Sequence, residues 1–215
     1  MTSFHHQGRR LSAFTRIELA SIISVAIVLT ALAVCALADA KAKSRGICCN
    51  CRLKQIGLAF RIFASDHGGA FPMAVSTNKG GSMECASEVF RHFQAMSNEL
   101  STPKILACPA DTRKLAPGFS VLSNTNISYF VSLDAKDSAP QVLLAGDHNL
   151  MTNGVPVPSG LLELTTNLTA SWTARMHKNA GNVAFGDGHV DTLSSNLLRE
   201  QLIYSGVVTN RLLIP

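Results

Sequence analysis

The stretch Ala13-Phe14-Thr15-Arg16-Ile17-Glu18-Leu19 decides the fold of this chain, because it leads directly into twenty residues without a charge. As an α-helix, residues 19–38 would rise about 30 Å, which matches the hydrocarbon thickness of a bilayer. Glu18 is the one carboxylate at the start of this apolar segment. Since a carboxylate in apolar surroundings is costly without a partner, Glu18 is the first candidate functional residue.

Positive charges flank the apolar segment on both sides. Arg9 and Arg10 precede it, and three basic residues follow it closely. The short basic flank on the first side predicts a cytoplasmic N-terminus. A secretory signal has a shorter apolar region, but Ala38-Asp39-Ala40 offers a small-x-small cleavage site. Release of a soluble exported protein at Ala40 therefore stays open as an alternative.

The helical pattern continues beyond the apolar segment. Apolar residues recur there at steps of three and four, which predicts one buried stripe formed by Leu53, Ile56, Phe60 and Phe63. No proline interrupts residues 14–67, and Gly68-Gly69 is the predicted terminator. We therefore predict one helix over residues 14–66. Residues 14–38 would cross the membrane, and residues 39–67 would form an amphipathic continuation.

Residues 68–215 are predicted to form an exported globular domain. An amphipathic helix is predicted over residues 83–100, and a last helix begins near Ser195. Strands are predicted at 105–108, 127–133, 141–145, 182–185 and 189–193. The last two flank Gly186-Asp187-Gly188, where glycines allow the tight turn of a hairpin. The predicted fold class is α+β, with a long N-terminal helix packed on a small antiparallel β-sheet.

The last helix is predicted to bury one apolar face, formed by Leu197, Leu198, Leu202 and Ile203.

The opening stretch resembles the type IV prepilin processing site, in which a small residue precedes Phe-Thr and a Glu is fifth in the mature chain. The resemblance implies that residues 1–13 are a leader, removed by a prepilin peptidase between Ala13 and Phe14. It also implies N-methylation of Phe14 and retention of the apolar helix. In such fibres the acid fifth in the mature chain meets the free amine of a neighbouring subunit, which gives Glu18 a role in assembly.

A second group of motifs resembles the pseudopilin-like proteins that are abundant in planctomycetes and verrucomicrobia. These proteins carry a prepilin-type processing-associated domain in which a His and an Asp-Gly pair are separated by nine residues. The motifs here are Cys51-Arg52-Leu53-Lys54-Gln55-Ile56-Gly57-Leu58-Ala59, Leu106-Ala107-Cys108-Pro109-Ala110-Asp111, Ala145-Gly146-Asp147-His148, and His177 followed after nine residues by Asp187-Gly188-His189-Val190.

This resemblance implies a pilin-like structural subunit of a type II secretion pseudopilus or a type IV pilus-like fibre. The implied partners are a prepilin peptidase, other pilin-like subunits, an inner-membrane assembly platform and membrane lipid. The implied location is the bacterial inner membrane, crossed once, with a short cytoplasmic N-terminus and a periplasmic or extracellular C-terminal domain.

Asp147, His177 and Asp187 are the candidate metal ligands, since His and Asp bind several divalent metals and Asp oxygens suit calcium. The alternative interpretation makes Asp187 a turn residue, has His177 hydrogen-bond to the hairpin, and leaves His148 and His189 on the surface. As an alternative to a fibre subunit, the chain could be a membrane-anchored exported domain that does not polymerise. Such a domain would bind a metal or a glycan through these His and Asp residues.

The six cysteines suggest a disulfide if the chain is exported into an oxidising compartment. A bridge between Cys85 and Cys108 is predicted, because it would tie a helix to the segment that follows it. Cys48 and Cys51 form a Cys-x-x-Cys pair, but the sequence has no second pair at the spacing of a zinc site.

Other function classes find little support. The net charge is +5, but no basic stripe interleaved with aromatic residues follows the apolar segment, so nucleic-acid binding is not expected. The sequence contains no Gly-x-Ser-x-Gly, no His-Glu-x-x-His and no phosphate-binding loop. We therefore do not predict an enzyme, and the structural role is the one that the resemblance to pilin-like proteins implies.

Overall fold

The computed structural model describes residues 15–85, 87–165 and 167–215. The chain divides between Ala42 and Lys43 into two units. The α-helices are α1 (Arg16–Asp66), α2 (Val89–Ala95), α3 (Ser97–Leu100) and α4 (Ser195–Tyr204). The strands are β1 (Tyr129–Ser132), β2 (Leu143–Asp147), β3 (Leu150–Thr152), β4 (Val155–Pro156), β5 (Gly160–Thr165), β6 (Ala170–Trp172), β7 (Ala180–Phe185), β8 (Val190–Ser194) and β9 (Thr209–Ile214). Short 3₁₀-helices lie at Pro72–Ala74, Thr77–Lys79, Pro103–Leu106, Phe119–Val121 and Asn124–Asn126.

The first unit contains the apolar part of α1. Residues Arg16–Val34 have a mean hydropathy of 2.4, and none of this segment is buried. By length and composition it is able to cross a membrane, although a signal sequence shares these properties. The predicted helix is confirmed from Arg16 onward. Phe14, where the prediction begins, lies outside the described residues.

The second unit contains the rest of α1, and its predicted stripe is confirmed. Leu53, Ile56 and Phe60 are fully buried, and Phe63 is nearly so. The helix ends at Asp66, as predicted, because Gly68 and Gly69 follow with positive φ. The Gly69 N–H donates to the Ala64 carbonyl at 2.7 Å, which closes the last turn.

The larger sheet is antiparallel throughout, and within the described residues its strand order is β5-β9-β1-β2-β7-β8. A second antiparallel sheet has the order β4-β3-β6. The predicted hairpin is confirmed as β7 and β8, which pair from Ala180 with Ser194 to Ala184 with Val190. The α+β class with an N-terminal helix and antiparallel sheets is likewise confirmed.

Both faces of the larger sheet are covered, so its central strands are apolar on both sides. Tyr129 and Val131 of β1 belong to the same apolar cluster as the stripe of α1. Phe130, between them, points to the opposite face and packs in a cluster with Trp172 of β6 and Leu198 of α4. This alternation follows from the two-residue period of a strand.

Three predicted elements differ from the structure. The helix predicted over residues 83–100 is present only as α2 and α3, with a break at Met96; Ala86 lies outside the described residues. Residues 105–108 form no strand, because Pro103 starts a 3₁₀-helix that extends to Leu106. The last helix is confirmed, but only two of its four predicted core residues are buried, while Leu197 and Ile203 are exposed.

His92 in α2 is a buried histidine that the sequence did not single out. Its Nδ1 lies 2.7 Å from the Ser82 hydroxyl, and among the described residues its Nε2 has no partner. Burial lowers the pKa of His92 from 6.5 to about 4. The folded state therefore holds His92 neutral at a pH where the unfolded chain already binds a proton.

The stabilising contribution of neutral His92 should disappear as the pH falls from 6.5 to about 4. The loss is about 3 kcal/mol, because only the unfolded state takes up a proton over that interval. The stability advantage of the wild type over His92→Gln, measured by chemical denaturation across this range, should narrow by that amount. An advantage that stays constant would contradict a neutral buried His92.

Candidate functional site

A buried polar cluster joins residues from distant parts of the second unit. Cys49 lies on α1, Cys108 follows the 3₁₀-helix at Pro103–Leu106, Asp147 ends β2, and His177 lies between β6 and β7. Three of these four residues belong to motifs that the sequence analysis singled out. The fold therefore brings separate motifs to one place.

Cys49 and Cys108 form a disulfide, with their Cα atoms 5.1 Å apart. The predicted bridge between Cys85 and Cys108 is wrong, and Cys85 is a free cysteine. The reason is the path of α1, which passes beside the Cys108 segment. Arg52, one turn after Cys49, donates from its guanidinium to the Ala107 carbonyl and fixes the two segments to each other.

His177 points into this cluster. Its Nε2 lies 3.4 Å from the Cys108 sulfur and 3.4 Å from Oδ2 of Asp147. The His177 side chain is only 9% exposed. Burial lowers the pKa of His177, so the imidazole is neutral at ordinary pH and available as a ligand or a hydrogen-bond partner.

Asp147 is fully buried. Its Oδ2 accepts hydrogen bonds from the backbone N–H of Asn182 at 2.7 Å and from the Asn182 side chain at 2.9 Å. Among the described residues its Oδ1 has no partner. Burial raises the pKa of Asp147 to about 7, although the hydrogen bonds from Asn182 oppose the rise.

The contact between Asp147 and His177 is short enough for an ion pair. Burial, however, raises the pKa of Asp147 and lowers the pKa of His177, so it favours the neutral form of each group. At neutral pH the contact is therefore not a fully charged ion pair. Burial penalises both charges, and the 3.4 Å contact between the two groups offsets only part of that cost.

Asp187 does not complete the predicted trio with Asp147 and His177. It lies in the turn between β7 and β8, where its Oδ1 accepts from the backbone N–H of His189 at 3.0 Å and contacts the His189 ring. Arg61 of α1 donates to the Asp187 carbonyl. The prediction of a metal site containing all three residues is therefore wrong, and the alternative in which Asp187 is a turn residue describes its place.

The turn between β7 and β8 requires glycine at position 188. Its φ is +87°, and a Cβ there would lie 2.8 Å from Cδ of Arg61. Gly57 of α1 faces it, and a Cβ on Gly57 would lie 3.2 Å from the Gly188 carbonyl oxygen. The two glycines thus allow the turn to contact α1 closely. The two parts of the motif therefore lie in two separate places. His177 lies in the buried cluster, and Asp187 lies in the turn that contacts α1.

A second polar group surrounds Asp111, which the motif analysis contained but did not select. Its Oδ2 accepts from the Ser128 hydroxyl at 2.8 Å and contacts Nε2 of His148 at 2.9 Å, and Nε of Arg113 lies 3.6 Å away. Burial alone would raise the pKa of Asp111, but the hydrogen bonds from His148 and Ser128 outweigh it and hold that pKa well below its ordinary value. His148 is thus partly buried and paired, not a surface residue.

Ser128, His148 and Asp111 lie close together, but they do not form the arrangement of a nucleophile and its general base. The Ser128 hydroxyl donates to the carboxylate of Asp111, and its oxygen accepts from the backbone N–H of Cys108 at 2.9 Å. A catalytic serine would instead donate to the imidazole. The arrangement ties the segment after Cys108 to β1 and β2. A cavity of about 70 Å³ beside His148 is small for a substrate.

In the first unit, Glu18 has a local partner. Its Oε2 accepts from the Thr15 backbone N–H and hydroxyl, each at 2.8 Å, and the Glu18 N–H donates back to the Thr15 hydroxyl at 3.3 Å. This reciprocal pattern is a capping box, in which a Glu at the third helical position closes the helix start. The predicted cleavage site between Ala13 and Phe14 lies outside the described residues.

Comparisons of the chain with protein-family models, with curated proteins and with solved structures find no match. The described geometry defines an α+β protein with one exposed apolar helix and a buried cluster of Cys, His and Asp.

Proposed function

We propose that this chain is a membrane-anchored, pilin-like structural subunit that a prepilin peptidase cleaves between Ala13 and Phe14. It assembles with other pilin-like subunits, on an inner-membrane platform, into a type II secretion pseudopilus or a type IV pilus-like fibre. Its role is structural and not catalytic. The chain crosses the bacterial inner membrane once, with the short N-terminus in the cytoplasm and the second unit in the periplasm or outside the cell.

The observation that carries this proposal is the exposure of the apolar part of α1. Ile17 is 82% exposed, Leu29 60% and Leu37 67%, so apolar side chains surround this part of the helix on all sides. A helix that is apolar all round needs lipid or other helices around it. In a pilin-like subunit both environments follow in turn, first the membrane and then the fibre. The Cys49–Cys108 disulfide also suits a domain in an oxidising compartment.

The mature N-terminus tests the anchoring step. Intact-mass measurement of the chain from both the membrane and the soluble fractions should show a membrane protein that begins at Phe14 and carries one added methyl group. A chain that begins at Lys41 would instead establish a released soluble protein. A chain that begins at Met1 would show that no processing occurs, and either result would overturn the proposal.

Substitutions of Glu18 test the assembly step. The capping box makes it possible to choose two matched variants, one that keeps the cap and one that removes it. Glu18→Leu removes both the cap and the charge, while Glu18→Gln keeps an acceptor that can cap Thr15 but removes the charge. If Glu18 pairs with the Phe14 amine of a neighbour, both variants should insert into the membrane and both should fail to assemble. Membrane fractionation measures insertion, and electron microscopy with subunit cross-linking measures assembly. Normal assembly of Glu18→Gln would reduce Glu18 to a helix cap.

A further inference from the structure

The ligand atoms of Cys49, Cys108 and His177 all lie within 4.8 Å of one another. Thiolate sulfur and imidazole nitrogen are the ligands that zinc prefers in closed structural sites. Both cysteines are buried, and the His177 side chain is nearly so. The disulfide therefore occupies a place where its two sulfur atoms, once reduced, would face a third ligand.

Asp147 is the candidate for a fourth ligand, because its carboxylate contacts His177, although it lies outside the group of ligand atoms within 4.8 Å of one another. Zinc bonds of about 2.3 Å to sulfur and about 2.0–2.2 Å to nitrogen or oxygen place tetrahedral ligands about 3.6 Å apart for S and N, and about 3.4 Å apart for N and O. Nε2 of His177 lies 3.4 Å from the Cys108 sulfur and 3.4 Å from Oδ2 of Asp147. The distance between His177 and Cys108 thus fits one edge of a zinc tetrahedron, and the Asp147 carboxylate must turn toward the sulfur atoms to complete it.

Two unsatisfied oxygen atoms mark the same region. Asp147 lies directly opposite Tyr129 in the pairing of β1 with β2, so the two side chains share one face of the sheet. Oδ1 of Asp147 and the Tyr129 hydroxyl are buried without a partner among the described residues. Buried polar atoms are rarely left without partners, and an absent ion is one explanation when they occur. A metal bound through Oδ1 would give this atom its missing partner, while Oδ2 keeps its two hydrogen bonds from Asn182.

We propose that the reduced protein binds one Zn²⁺ ion through Cys49, Cys108, His177 and Asp147, so that the same cysteine pair forms either a disulfide or a metal site. A dithiol or phosphine reductant gives two electrons and breaks the S–S bond, and two protons complete the thiols. Zinc then displaces both thiol protons, and any proton held by Asp147, into solvent. The two sulfur atoms must move apart to about 3.8 Å, which rotation of the cysteine side chains allows.

The proposal is independent of assembly, because it concerns the second unit in one oxidation state. Zinc would replace the covalent link between α1 and the Cys108 segment with a coordinate link. The connection between these segments would therefore persist when the disulfide is reduced, for example before export into an oxidising compartment.

The test uses the full chain in detergent, reduced with a phosphine without oxygen and stripped of metal by a chelator that is then removed. Titration with Zn²⁺ should give one tightly bound ion per chain, and the disulfide form should bind none. Co²⁺ in place of Zn²⁺ should give a thiolate-to-cobalt charge-transfer band and the visible bands of a tetrahedral site. These measurements on the wild type need no variant to fold.

Variants then identify the ligands. His177→Ala and Asp147→Asn should each weaken binding by about tenfold or more, while Cys51→Ser and Asp187→Ala should leave it unchanged. Cys51→Ser is the matched control, because it disables the rival Cys-x-x-Cys pair and leaves Cys49 in place. The proposal fails if the reduced chain binds no stoichiometric zinc, if the disulfide form binds it equally, or if Cys51→Ser and not His177→Ala abolishes binding.

Discussion

Loss of the Cys49–Cys108 disulfide is expected to lower the free energy of unfolding by about 4 kcal/mol. The two cysteines are 59 residues apart in sequence, and the chain-entropy model gives about this value for a loop of that length. The bridge limits the unfolded chain, and it holds α1 against the segment that leads to β1. Chemical denaturation of Cys49→Ser and of Cys108→Ser, each compared with the oxidised wild type, measures the effect. A chelator must be present so that metal does not stabilise the reduced variants.

Cys85→Ser provides the control, because a bridge from Cys85 is what sequence spacing predicts. Cys85 is a half-buried free cysteine, so its replacement should change the stability by less than about 1 kcal/mol. If Cys85→Ser destabilised the protein as much as Cys49→Ser did, the pairing described here would be wrong. Peptide mapping of the unreduced protein gives a direct check, since the Cys49 and Cys108 peptides should be joined.

The sequence predicts local elements of this fold well. The stripe from Leu53 to Phe63 sets the buried face of α1, and Gly68-Gly69 sets its end, because periodicity and terminators act over a few residues. The hairpin of β7 and β8 is likewise a local structure, with its glycines at the turn. Such features need no knowledge of the rest of the chain.

The arrangement of the sheet is not a local property. Strand β9 lies between β5 and β1, so its place depends on partners that are far away in sequence. Its apolar residues Leu212, Leu213 and Ile214 form a continuous run, which does not distinguish a strand from a helix by period alone. Strands β3, β4 and β6 have only two or three residues each, and β4 and parts of β5 are exposed, so these strands leave only a weak pattern.

In the candidate site, too, the sequence identifies individual residues but not which distant residues come together. Asp147 and His177 could be selected as polar residues within motifs, and the structure does bring them together. Cys49 was missed, because the sequence prediction did not extend the apolar stripe of α1 back beyond Leu53. Its position on the buried side of α1, in register with Leu53 and Ile56, was the available signal. Asp187 was misassigned because spacing along the chain was taken for proximity in space.

Phe60→Ala is expected to destabilise the second unit by about 3–5 kcal/mol, the usual cost of removing a buried Phe side chain. Phe60 is fully buried, and its ring meets those of Phe71 and Phe93 edge-on, at centroid distances of 5.7 and 6.1 Å. Each of these ring pairs adds to the cost. The change tests whether the second half of α1 is part of the core of this unit.

Leu58→Ala supplies the matched comparison on the same helix. Leu58 is 58% exposed, so its truncation should cost less than about 1 kcal/mol. Denaturant unfolding of both variants, followed by circular dichroism, should therefore separate them by at least about 2 kcal/mol. Similar small losses for both would mean that the second half of α1 contributes little to the stability of the second unit. A large loss for Phe60→Ala alone would show that the second half of α1 is part of the core of the second unit.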